Sequence, residues 1–554
     1  MKKKLLINLS ALILLTMWLL SGRPIIWKNP IIPPIIQSVY AASTVTAATG
    51  GGSISADSAG GNYTSLIKPV ITEGSVGDVG VGTIIVNAPS GFNFATTANS
   101  VTLTVTYGSC SGSGNTSVKL GTGTGSSTQT VTPTATTITH NVKTASKGVA
   151  GCVSTLTYTG IKVRPTAGTP LNSGNITKSS SSTSTIRGVT NGSTNFGTLT
   201  EVVGAKNKLA ITTQPSSTVT VSTDFTIKPV VKLQDQFGNT VTTDSSSTIT
   251  RTAVLSTQAC GGTAASGSIT STPASGSAFA SGVMTYTAMQ HSTVESIKIC
   301  FTSSSVTSAL SNTINVINLP VVTTQNVSSV SDITATANGN ITATNGENAD
   351  KRGFVYDTSS HSLPGDVSPG TSGYANYAED TGSYGTGAFT IELTSLSSGA
   401  TYYVRAYVHN SAGYSYGTEV SFTTVVISIS ITSNGVISYG NISSGTSKDT
   451  TSGDTQTAKN DSAITEDFNI KTSAATGGTP WTIGSTPGAN VFVHEYSTDS
   501  GNSWTKFTAA DSYLTLATGV SPNGTQNFDL RLTSPTNSDS QPKTIIITIQ
   551  AIQH

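Results

Sequence analysis

From residue 43 to the end of the chain, apolar side chains recur at every second position in short runs. The run "VTLTVTY" at residues 101–107 alternates cleanly, and so does "TYYVRAYVH" at residues 401–409. "VGTIIV" at residues 81–86 reads as a buried strand. Gly, Asn, Asp, Pro and Ser separate the runs, and no stretch keeps a 3.6-residue period. This pattern predicts an all-β chain of many short strands, arranged as tandem β-sandwiches. Only the N-terminus departs from it. Basic residues 1–4 precede an apolar run at 5–20, and small residues at 38–42 offer a cleavage site. That is the grammar of an export signal helix. The intervening "SGRPIIWKNPIIPPIIQ" at 21–37 is long for one, so an uncleaved membrane anchor is the alternative reading. No second apolar run is long enough to span a bilayer.

Composition sharpens the picture. Charged residues make up 10% of the 554, against a usual ~25%, and Lys plus Arg (28) balance Asp plus Glu (27). No basic field is available to hold phosphates, which excludes a nucleic-acid partner. Thr suits a pleated surface and Gly, Asn and Ser suit turns. The four cysteines fall two to a region, with no CxxC pair. We expect the disulfides Cys110–Cys152 and Cys260–Cys300; four buried thiols are the alternative.

Punctuation and composition divide the chain into residues 1–42 (signal peptide or anchor), 43–204, 205–318, 319–424 and 425–554. In the first sandwich the scarce acids Asp57, Glu73 and Asp78 invite a calcium reading, but they lack regular ligand spacing and read more simply as turn acids. The Ser/Thr-rich "TKSSSSTSTIRG" at 177–188 reads as a loop or edge strand before "NFGTLTEVVG". In 425–554, Asn434-Gly435 between two alternating runs predicts a hairpin, and residues 545–552 predict a final strand.

Two stretches carry resemblances. "KLAITTQPSSTVTVSTDFTIKPVVKLQDQFGNTVT", with its Asp235-Gln-Phe-Gly238-Asn239 turn, resembles the opening of bacterial Ig-like domains of invasin- and intimin-type surface proteins. "LSSGATYYVRAYVHNSAGYSYGTEVSFTT" resembles the last strands of a fibronectin type III domain, through Leu396, Gly399, Tyr402, Val404, Ala406, Asn410 and Gly413. That resemblance implies a sandwich with a tyrosine corner at Tyr402 and a strand at 351–356. The stretch "DITATANGN" at 332–340 lacks the tryptophan many members carry. There is no RGD tripeptide. Alternation places Tyr402, Val404, Ala406 and Val408 inward, and Tyr403, Arg405, Tyr407 and His409 outward.

For chemistry the sequence offers little. Six histidines sit in no local signature, and HExxH, a P-loop and a nucleophile elbow are absent. No catalytic, cofactor-binding or metal-binding residue is assigned, and an enzyme is not expected. "STDSGNSW" (497–504) fits S-x-D-x-G-x-[ST]-W, the Asp-box pattern of β-propeller glycosidases. A propeller repeats the box, and this chain has one copy. The stretch therefore predicts a single hairpin: Asp499 accepts turn N–H groups, Gly501 takes positive φ, and Trp504 packs over the turn. Ligand contact falls to Tyr403, Tyr407, Trp481 and Trp504, although strand tyrosines and lone tryptophans more often pack within the sandwich. The expected protein is a non-enzymatic secreted or cell-surface modular protein, a stalk or adhesin meeting a protein or glycan at the cell surface. It touches membrane only through an uncleaved N-terminal segment. Alternatives are a carbohydrate-binding accessory of an extracellular hydrolase system and a subunit of a surface layer or fibre.

Overall fold

A computed structural model describes residues 40–537 and 539–554. The apolar run of the expected signal helix lies outside the described residues. The chain is all-β, built of paired sheets, and divides into two compact units, one ending at Gly204 and the other starting at Ala205.

In the first unit a five-stranded sheet runs in the order Thr44–Thr46, Val70–Thr72, Ser154–Thr159, Val101–Tyr107, Thr128–Val131. A six-stranded sheet runs Ile54–Ser55, Asn195–Val202, Ser173–Lys178, Gly82–Asn87, Thr137–Thr144, Lys119–Leu120. Alternation decides which face is buried: Val101, Leu103 and Val105 point in, meeting Leu156, Tyr158, Ile84 and Phe196 in one core. Each such side chain contributes roughly 1.5–3 kcal/mol by leaving water. Beyond Lys178, where the strand Ser173–Lys178 ends, the Ser/Thr-rich stretch forms no strand. Its hydroxyls share the pairing with its backbone: Ser182 Oγ accepts from the Ile85 N–H at 3.0 Å and Thr183 Oγ1 from the Thr83 N–H at 2.8 Å, while the Ser179 and Ser184 N–H groups donate to Ile85 O and Thr83 O. The Cys110–Cys152 bond ties the end of strand Val101–Tyr107 to the turn before its neighbour, Ser154–Thr159.

The second unit holds three sets of sheets that share no hydrogen-bonded strand. In residues 205–317, Thr218–Thr220 pairs in parallel with Ile314–Ile317, and Cys260–Cys300 is formed. The Asp235 carboxylate closes its turn by accepting from the Phe237 and Asn239 N–H groups (3.0 and 2.9 Å), with Gly238 at φ +94°.

In residues 321–423 a three-stranded sheet (Val321–Ser328, Ala335–Ala343, Gly387–Leu393) faces Asn376–Tyr384, Ala349–Asp357, Thr401–Asn410, Gly413–Tyr416 and Val420–Thr423. Phe354 and Phe389 meet in the core at 5.1 Å. The Tyr402 hydroxyl accepts from the Ser397 N–H at 3.0 Å, which forms the tyrosine corner.

Here the outward reading of one strand face is corrected. Arg405 and Tyr407 are buried, because the loop at 358–375 folds over that face. Tyr374 from the loop packs with Val355 and Tyr407 in a second small core. Arg405 is held by three of its own donations: Nε to the Tyr374 hydroxyl (2.7 Å), Nη1 to Gly417 O (3.0 Å) and Nη2 to His361 O (2.9 Å). Tyr374 passes its own proton donation to Glu419.

In residues 429–553 a larger sheet, built on Ile429–Ile431, Gln456–Asn460, Thr525–Thr533 and Val491–Ser497, packs on Leu514–Val520, Glu466–Thr472 and Ile547–Gln553. The last of these is the final strand expected from the sequence. The hairpin expected at Asn434-Gly435 does not form. Ile429–Ile431 pairs with Gln456–Asn460 instead, and Gln456 Oε1 accepts from the Ser433 hydroxyl and the Gly435 N–H. Gly435 takes positive φ (+68°) but Asn434 does not, and the partner strand comes from a distant segment.

Candidate functional site

The Asp-box hairpin joins Val491–Ser497 to Thr505–Lys506, with Glu495 opposite Lys506 and Tyr496 opposite Thr505. Asp499 organises the turn. Its Oδ1 accepts from the Ser497 hydroxyl (2.6 Å) and the Ser503 N–H (2.8 Å), and its Oδ2 from the Ser503 hydroxyl (2.5 Å). The Ser497 hydroxyl first, then the Ser503 hydroxyl and N–H, favour the carboxylate and lower its pKa to about 2. Gly501 sits at φ +85°, and Ser497 Oγ accepts its N–H at 2.9 Å. A Cβ at Gly501 would lie 2.7 Å from Thr451 Cγ2, so that turn admits no larger residue without movement.

The hairpin delivers Trp504 onto a neighbouring strand. The Arg531 guanidinium lies 4.5 Å from the centre of the indole, and Arg531 Nε donates to Glu495 Oε2 at 2.6 Å. Glu495 is almost fully buried although it points away from the sandwich core, and Arg531 is its ionic partner. Beside the pair is an open groove of about 290 Å³, lined by Ser447, Pro487, Glu495, Lys506, Arg531 and Thr533. It is polar, carries both signs of charge, and sits at the low end of ligand-pocket size. Hydroxyl, carboxylate, ammonium and guanidinium groups around one concavity match a small hydroxylated or anionic ligand; Trp504 does not line it but packs on its Arg531. Arg531 and Glu495 were not singled out from the sequence. Their signal was there: in "TQNFDLRLT", Phe528, Leu530 and Leu532 take the core face, which puts the rare charges Asp529 and Arg531 on the other.

The remaining candidates separate. Tyr403 is half-buried on its strand. Tyr407 is fully buried and its hydroxyl donates to Glu379 at 2.9 Å, so its ring does not meet a ligand. Trp481 is core, packed on Phe492 at 6.2 Å. Trp504 keeps part of its surface open. In the first unit, Glu73 accepts from the Val79 and Ser154 N–H groups and the Ser146 hydroxyl at 2.8–2.9 Å. Asp78 accepts from the Ser75 N–H and pairs with Arg187 at 3.0 Å. Both are loop anchors whose oxygens face donors. Among the described residues no group of three or more His, Cys, Asp or Glu is placed to hold a metal ion.

No protein-family model matches the chain, and no curated protein sequence matches it. Among solved structures it is similar to domains A168–A170 of titin (9% identity, TM-score 0.27) and to the FN1–FN3 domains of chicken CNTN1 (10% identity, TM-score 0.23). Each similarity covers 62% of this chain and 99% of the other. Identities this low leave the functions of those proteins with those proteins.

Proposed function

We propose that this chain is a non-enzymatic, exported modular protein of a bacterial surface. In this reading residues 43–204, 205–318, 319–424 and 425–554 are four β-sandwiches, the second of invasin type and the third of fibronectin type. They act as a stalk or adhesive array. The observation that carries the reading is the pair of disulfides, one within residues 43–204 and one within 205–318, in a chain with no free cysteine among the described residues. Such bonds persist in oxidising compartments and are rare in the cytosol. Cell fractionation with N-terminal sequencing and thiol titration tests it. A product starting near Ala42 or Ser43, outside the cytoplasm and without reactive thiols, is the expected result; a cytosolic product with four free thiols refutes it. Residues 2–20 retained in a membrane fraction indicate an anchored stalk.

The polar groove, whose Arg531 packs on Trp504, favours a glycan among the candidate partners, because its hydroxyl, carboxylate and guanidinium groups can exchange hydrogen bonds with a hydroxyl-rich ligand. A glycan array with the full chain tests this. Trp504→Ala is expected to abolish retention while leaving the melting profile of the remaining sandwiches unchanged. Absence of retention on every polysaccharide removes the glycan reading.

A further inference from the structure

The last strand, Ile547–Gln553, is an edge. It pairs antiparallel and without a bulge with Glu466–Thr472, and among the described residues no strand lies on its far side. Its sequence, ITIQAIQ, holds no charge and no proline. Sheet edges are ordinarily blunted by charge, proline, bulges or a covering loop, because a bare row of N–H and C=O groups is a template for another strand. This edge has none of those protections. Ile546 is 63% exposed and Ile552 41%. Alongside the edge the sandwich stays open: an apolar slot of about 70 Å³ runs between the two sheets, lined by Ile431, Ile437, Phe528, Leu530, Ile547 and Ile549.

We propose that Ile547–Gln553 is a self-association strand, pairing antiparallel with the same strand of a second copy about a two-fold axis at Gln550. The choice of a second copy rests on self-complementarity. Centring on Gln550 pairs all seven residues: Gln550 with Gln550, Ile549 with Ala551, Thr548 with Ile552, and Ile547 with Gln553. Ile547, Ile549 and Ala551 pack on the core, so this register keeps the core-side residues of both copies on one face of the joined sheet. It opposes no like charges, which a charged strand facing its own copy would have to do. The two three-stranded sheets become one of six, and each copy covers the other's open slot. An isologous contact of this kind closes at two. The inference is independent of any glycan or adhesive role.

Sedimentation of the full chain across its soluble concentration range, with substitutions at exposed positions, tests the proposal. The wild type is expected to pass from monomer to dimer and no further. Gln550→Lys sets two ammonium groups opposite each other and is expected to weaken the dimer roughly tenfold or more. An equimolar mixture of Gln550→Lys and Gln550→Glu chains is expected to restore it as a heterodimer. Directly opposed residues lie about 4.5–5.5 Å apart, inside the span of a disulfide. Gln550→Cys is therefore expected to cross-link to its copy under mild oxidation. Thr548→Cys, which faces Ile552, is not. A chain that stays monomeric at every concentration overturns the proposal, as it would if another segment or another protein covered the edge. A dimer indifferent to Gln550→Lys, or cross-linked through 548 and not 550, overturns it as well.

Discussion

Removing the Arg405 guanidinium tests whether the covered outer face of the sandwich in residues 321–423 is held by a polar clasp. Arg405 and Glu419 are largely buried, with side chains 10% and 15% exposed and Nε 3.8 Å from Oε1. Burial alone would raise the Glu419 pKa. The Ser360 and Tyr374 hydroxyls, the His361 N–H and the Arg405 charge outweigh it and hold the carboxyl below its ordinary range. Arg405→Met keeps the apolar stem but takes the donor from the His361 and Gly417 carbonyls and the cation from Glu419, which keeps only its neutral donors Ser360, Tyr374 and the His361 N–H. Breaking one side of a buried pair costs about 3–5 kcal/mol. The loss should appear first as local opening. In hydrogen exchange on the full chain, amides of residues 358–375 lose protection, among them His361, whose N–H donates to Glu419, and Ala375, whose N–H donates to Asp357. The strand amides of Ala335–Ala343 keep theirs. Arg405→Met with Glu419→Gln removes both charges while keeping an acceptor for Ser360, Tyr374 and the His361 N–H, and should recover part of the loss, a positive coupling in the double-mutant cycle. If Arg405→Met leaves exchange in 358–375 unchanged, the clasp contributes nothing and the reasoning fails.

Three further outcomes follow from the geometry. Burial lowers the His494 pKa from 6.5 to about 3. The unfolded chain therefore takes up a proton that the folded one refuses, and stability of the last sandwich should fall by about 1.4 kcal/mol per unit as pH drops from about 6.5 toward about 3. His494→Gln, followed by urea titration at several pH values, should flatten that slope; an unaltered slope assigns it elsewhere. Replacing Cys260 and Cys300 with Ser opens a loop 40 residues long and should cost about 4 kcal/mol, read as a lower first transition in calorimetry. Gly501→Ala, forced to positive φ against Thr451, should destabilise the Asp499 hairpin by about 1–2 kcal/mol, seen as faster exchange at the Ser503 N–H.

What the sequence disclosed is what local chemistry encodes. Alternation in Val101–Tyr107 names its buried face because the strand's period alone sets it. The Asp499 and Asp235 turns and the Tyr402 corner are legible because each closes within a few residues. The disulfide pairing was legible because two cysteines fell in each region. Long-range choices were hidden. Nothing in Asn434-Gly435 announces that Ile429–Ile431 prefers Gln456–Asn460. The outward face of Thr401–Asn410 reads as solvated until the Gly- and Ser-rich segment bearing Tyr374 folds across it. The groove depends on Arg531, Glu495 and Lys506 arriving from three separate strands, with Trp504 set against Arg531 by the turn between two of them, a meeting that no single stretch records.

The parallel pairing of Thr218–Thr220 with Ile314–Ile317 has a mechanical consequence. These strands lie close to the two ends of residues 205–318. When the two ends are pulled apart, strands that run the same way are dragged past each other along their length. Their hydrogen bonds must then yield together rather than one at a time from an end. The first unit repeats the arrangement in Ile54–Ser55 against Asn195–Val202. A chain suspended by its ends would therefore meet resistance to extension in those two regions before any core is exposed, and past that point Cys110–Cys152 and Cys260–Cys300 limit how far each can pay out.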